Sequence, residues 1–250
     1  MTALSANAML GALTAGLLQE LRGGSFKDGF TRGALGGVFA YAGRRMASQR
    51  FDGAGLIGRE VAAVGSSVIR NASEARPMFE QLTFPIGPLR LQVMPRARKF
   101  DASLDVVASA WIAWGIAERE LDLKIAESLS TGTAVFRTRN KLIVDSSNRL
   151  HAGGVTSASI ILLSDVPAWG SVFLERVAAH ERIHVLQEDQ ILHTWLEPGE
   201  AWLLNRLPYG KSVTRRLDFN WSAEFLGILT HLFDRHSDRP WELEAIYFSR

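Results

Sequence analysis

Hydrophobic and polar positions follow three patterns along the chain. Residues 9–18 and 33–43 are apolar segments, separated by a polar stretch, 19–32, that carries a Gly23-Gly24 turn signal. Gly33, Gly36, Gly37 and Gly43 leave one side of the second segment nearly bare, so another helix can approach closely. This predicts a helical hairpin, packed either on the rest of the protein or against a membrane surface. Residues 78–163 read mainly as strands. Partial alternation at 79–84 and 89–93 breaks at Pro85 and Pro88, residues 121–125 alternate strictly, and 134–138 and 142–144 continue the pattern. Residues 105–120 fit a helix through Val106, Ala110, Ala113 and Ala117, but Trp111 to Trp114 also fit a strand. Residues 159–163 form a short continuous apolar run, the mark of a buried strand. From Ser171 the period becomes helical, with Phe173, Val177, His180, His184, Gln187 and Ile191 on one stripe. Further helices are expected over 221–234 and 241–248. The sum is an α+β fold: a Gly/Ala-rich helical N-terminal region, a strand-rich middle, and then a helix with functional side chains and further helices.

Composition sharpens the division. Thirteen of the 22 glycines lie in residues 1–65, whereas all seven tryptophans lie at or beyond Trp111. The expected boundary is near Pro77, giving a Gly-rich helical region, 1–76, and a second region, 77–250. Net charge is only +2, so nucleic acid is not an expected partner. The chain has no cysteine, so any bound metal must sit on His, Asp or Glu. The apolar stretch 8–18 has no basic residue before it and is followed by Gln19 and Glu20, so it does not read as a signal peptide. It is also short for a membrane span. Envelope association, or secretion without a clear signal peptide, stays open, as does membrane contact through residues 1–50.

Residues 180–184 read His-Glu-Arg-Ile-His. On a helix, positions i and i+4 project from one face, so His180 and His184 can bind one cation. Glu181 is turned by about 100° from His180, the helical step per residue. It can reach a water held by that cation without ligating the ion, and act as general base. The arrangement resembles the zincin metallopeptidases, in which a strand beside the active helix aligns extended substrate. The run 157–163, just before the helix, fits that role. The metzincin pattern is not met, because positions 187 and 190 are both Gln. The gluzincins instead take a Glu from a later helix, often within Glu-x-x-Ala, and Glu242-Leu243-Glu244-Ala245 provides one.

The resemblance to gluzincin-like peptidases implies Zn2+ held by His180, His184 and Glu242, with Glu181 catalytic and a peptide or protein as substrate. The Asp that follows Glu-x-x-Ala in several such families is Ile246 here, which removes the usual outer partner. Glu244, His193, His231, Glu224 and Glu200 compete as third ligand. Gln187 is positioned to hydrogen-bond near the site, and Tyr247 to stabilise an oxyanion. Trp111 and Trp114 read as core or interface anchors, and Arg96, Arg98 and Lys99 as a solvated loop. Two other functions remain in view. One is a membrane-associated or toxin-like effector, since residues 23–37 resemble the Gly-rich segments that precede C-terminal domains in polymorphic toxins. The other is a non-catalytic metal-binding scaffold.

Overall fold

A computed structural model describes residues 2–140, 142–145, 150–157, 160–165, 171–196, 206, 217–218 and 240–249. The chain begins with three helices, α1 (Ala3–Leu21), α2 (Phe26–Ala47) and α3 (Ala54–Ser73). Thr2 and Ser25 cap the first two, each side chain accepting the backbone N–H three residues on. The helices meet through their small residues. Gly11, Ala12, Ala15 and Gly16 of α1 are buried, as are Gly29, Gly33, Gly36, Gly37, Ala40 and Gly43 of α2. At Gly37 any Cβ would overlap the carbonyl oxygen of Asn7, so glycine is what lets the two backbones approach. The leucines of α1 point the other way: Leu10, Leu13, Leu17 and Leu21 are all exposed. Periodicity did not single out α3, whose buried residues include the polar Arg59, Ser66, Ser67 and Asn71.

Strands β1 (Leu82–Ile86), β2 (Leu89–Met94) and β3 (Lys99–Asp105) form an antiparallel meander. Residues 105–120, which fit either structure, form helix α4 (Val106–Ala117), with the Asp105 carboxylate accepting the Ala108 N–H as its cap. The strand expected over 121–125 shrinks to β4 (Asp122–Leu123), and helix α5 (Ile125–Thr131) follows. Leu121 and Leu123 pack against Phe136, but Ile125 is exposed, so the alternation stops before it. Next come β5 (Ala134–Thr138), a β6–β7 ribbon (Leu142–Asp145, Leu150–Ala152), β8 (Gly154–Ser157) and β9 (Ile160–Ser164). Helix α6 (Ser171–Ile191) runs into a π-helical turn, Leu192–Leu196. Strand β10 (Leu217–Asp218) adds parallel to β3, and helix α7 (Pro240–Ser249) follows. The architecture is therefore α+β, with helices at both ends and the strands between them. The helix expected over 221–234 lies outside the described residues.

The second sheet has the order β4-β5-β9-β8, with β5 and β9 parallel and the outer pairs antiparallel. Its inner strands supply Val135, Ile161 and Leu163 to a core shared with Ile183, Val185 and Leu186 of α6, Ala245 and Phe248 of α7, and Ala47 and Ala62 of α2 and α3. The helix-to-strand change does fall near Pro77, yet both the core and buried polar pairs cross it.

One of those pairs joins Arg59 to Asp189. Arg59 is 1% exposed, and its Nε and NH2 donate to the two Asp189 oxygens at 2.7 and 3.1 Å. Its NH1 donates to the Gly132 carbonyl and to Thr133 Oγ1. Removing one member of such a pair leaves a buried charge without its partner, at a cost of about 3–5 kcal/mol. Asp189→Ala is accordingly expected to lower the unfolding free energy by about that much in urea titration. A loss within experimental error would mean that the pair is not held as described.

Candidate metal centre

Helix α6 presents His180 and His184 one turn apart, with their rings edge-on at a centroid distance of 4.6 Å. Helix α7 begins at Pro240, a residue suited to a first helical turn, and that same turn carries Glu242. The packing of α7 on α6 through Ala245 and Phe248 brings Glu242 over the imidazoles. His180 Nε2 lies 3.2 Å from Glu242 Oε2, His184 Nε2 3.3 Å from the same oxygen, and the two Nε2 atoms are 3.0 Å apart. The three side chains offer one atom each at a common point and could hold a metal ion. Among the described residues they are the only such group of three.

Charge is concentrated there. Burial pulls the His184 imidazole down, but its hydrogen bond to Glu242 and the charges of Glu181 and Glu242 outweigh this, and its pKa is raised to about 9. A cation entering the site therefore displaces a proton from His184 near neutral pH. Glu181 is 6% exposed, and burial raises its pKa, with the His184 and His180 charges and a bond from Thr156 working against that shift.

Strand β8 covers Glu181. Thr156 Oγ1 lies 2.9 Å from Glu181 Oε2 and 3.1 Å from the Glu181 carbonyl oxygen. A Cβ at Gly154 would stand 2.6 Å from Glu181 Cγ, so glycine lets the strand lie this close to the carboxylate. The strand alongside α6 at the sheet edge is thus β8, not the 157–163 run expected there. β9 is flanked by β5 and β8, and its burial on both faces is what its continuous apolar sequence encodes.

The other candidates separate cleanly. Glu244 stands one bond further out. Gln187 Oε1 lies 2.8 Å from His184 Nδ1, and Gln187 Nε2 donates to Glu244 Oε2 at 2.8 Å. His193 lies in the π-helical turn, 2% exposed, with Nδ1 3.2 Å from Arg90 NH1, within a buried group that includes Asp105. Tyr247 is exposed and packs edge-on against Phe248. Glu200, Glu224 and His231 lie outside the described residues. The sequence reading missed Thr156 and Gly154 beside Glu181, and Asn7 and Arg44 behind Glu244. The only signal for the last two was a polar residue interrupting a run of small and apolar ones in each helix. No family model matches the chain, and neither a curated protein nor a solved structure matches it.

Proposed function

We propose that this protein is a zinc-dependent peptidase, or another zinc hydrolase acting on an amide. The observation that carries the reading is the convergence of His180, His184 and Glu242 on one point, with Glu181 beside them. Zinc bonds of 2.0–2.1 Å in a tetrahedral site put neighbouring ligand atoms about 3.4 Å apart. The three separations of 3.0–3.3 Å come close to that spacing. Two imidazole nitrogens and one carboxylate oxygen are also a donor set typical of catalytic zinc sites. Zinc bound there would lower the pKa of a water and polarise a carbonyl. Within that setting Glu181 accepts the water proton on its carboxylate and passes it to the leaving amine. The raised affinity of Glu181 for a proton suits it to hold that proton between the two steps. Thr156 keeps the carboxylate oriented, and β8 offers an edge along which an extended peptide can pair. The test is hydrolysis of a peptide library by zinc-reconstituted protein, lost on chelation and restored by zinc. Absence of cleavage across the library, with zinc bound, favours the scaffold alternative, in which buried Glu181 is only structural.

A second reading concerns the N-terminal hairpin, and the outward leucines of α1 favour it. No described helix is long and apolar enough to cross a membrane. The exposed stripe of Leu10, Leu13, Leu17 and Leu21 instead suits a helix lying on a lipid surface, with Arg22 and Lys27 at one end. The protein is then expected to float with vesicles of phosphatidylcholine and phosphatidylserine, and a Leu13→Asp/Leu17→Asp variant to stay behind. Equal recovery of both proteins in the unbound fraction counts against membrane contact.

A further inference from the structure

The Glu244 carboxylate has two faces. Oε2 meets the metal centre through Gln187, and Oε1 accepts the hydrogen bond from the N-terminal hairpin. Asn7 of α1 donates its Nδ2 to Glu244 Oε1 at 2.8 Å. Arg44 of α2 lies beside both: its NH1 donates to Asn7 Oδ1, and its Nε stands 3.6 Å from Glu244 Oε2. Arg44 NH2 also donates to Gln190 Oε1 on α6 at 2.5 Å. Asn7 and Arg44 are 5% and 3% exposed, so water does not compete for these bonds.

Hydrogen-bond polarity converges on the Glu244 carboxylate from both ends of this chain of groups. A carboxylate can only accept, so Gln187 must turn its NH2 to Glu244 and its carbonyl oxygen to His184. That oxygen can only accept in turn, so Nδ1 of His184 carries the hydrogen. The proton that an entering cation displaces is therefore the one on Nε2, the atom that faces His180 and Glu242. Asn7 obeys the same logic, because Arg44 can only donate: the Asn7 oxygen faces Arg44 and its NH2 faces Glu244.

From this polarity we infer that the N-terminal hairpin is part of the metal centre: Asn7 and Arg44 hold Glu244, and Glu244 through Gln187 fixes the tautomer and ring plane of the ligand His184. The four are positioning residues, and none of them meets the ion or the substrate. The inference rests on the metal-centre reading above. It assigns to Glu244 and Gln187 the outer-partner role that the Ile at 246 cannot fill, and it gives a purpose to two polar side chains buried among glycines and alanines.

The test uses the full-length protein and zinc alone. Zinc affinity is measured by competition with a chromophoric chelator for the wild type, Gln187→Ala, Glu244→Ala and Asn7→Ala. Loss of an outer partner to a ligating histidine costs roughly 10–100-fold in metal affinity, and a loss of that order is expected for Gln187→Ala and Glu244→Ala. Asn7→Ala, one bond beyond Glu244, is expected to weaken binding in the same direction by less. The zinc-loaded wild type gives a readout that needs no variant: the His184 Nδ1 hydrogen should appear in the NMR spectrum as a slowly exchanging, downfield imidazole resonance. It should vanish in Gln187→Ala while near-UV circular dichroism stays native. Failure of the wild type to bind zinc overturns the metal-centre reading itself. Zinc binding with equal affinity in all four proteins, or a wild type without the Nδ1 resonance, overturns the clamp and leaves the metal centre standing.

Discussion

Glu181→Gln is expected to retain zinc at close to wild-type affinity while hydrolysis falls by roughly the 10²–10⁴-fold attributed to general acid–base catalysis. The substitution keeps the shape of the side chain and can keep the contact to Thr156, since an amide also offers an oxygen to that hydroxyl. What it removes is the ability to accept a proton. The two readouts, bound zinc and hydrolysis rate on a cleaved peptide, separate a base from a ligand. Loss of zinc in this variant would make Glu181 a ligand or a structural residue. Full activity with zinc retained would put the chemistry elsewhere.

The complementary variants remove ligands. His180→Ala, His184→Ala and Glu242→Gln should each lower zinc affinity by more than the roughly 10–100-fold that loss of an outer partner costs, because they act on the ion directly. Glu242→Gln is the informative one. Glu244, two residues on in the same helix, bonds to Gln187 and Asn7 and is not free to take its place. Zinc affinity and hydrolysis measured on Glu242→Gln and Glu244→Gln should therefore differ, with the larger loss at Glu242. The opposite ranking would make Glu244 the third ligand.

The two histidines of the candidate metal centre were legible because helical periodicity needs only one segment, and α6 carries both within one turn. Glu242 was legible only through a resemblance in its spacing, and the fold brings it over His180 by packing α7 on α6. The α+β class was readable from the switch of period, and residues 134–138 coincide with β5. Two features were not readable. Strand β8 is too short and too polar for alternation to find, so the apolar β9 drew the edge role that β8 holds. The link between the hairpin and the metal centre was hidden as well. Composition separates a Gly-rich segment from a Trp-rich one, and that contrast says nothing of the pairs that span it. Asn7 to Glu244 crosses 237 positions, and Arg44 to Gln190 crosses 146. Neither periodicity nor composition carries a signal over such separations. A polar residue amid small ones is the only local trace of them.

The central claim, a cation held by His180, His184 and Glu242, is tested most directly by X-ray absorption at the zinc edge of the reconstituted wild-type protein. Nitrogen and oxygen neighbours at about 2.0–2.1 Å are expected, with outer-shell scattering from two imidazoles. A protein that retains no zinc, or zinc whose spectrum lacks the imidazole pair, would contradict the claim.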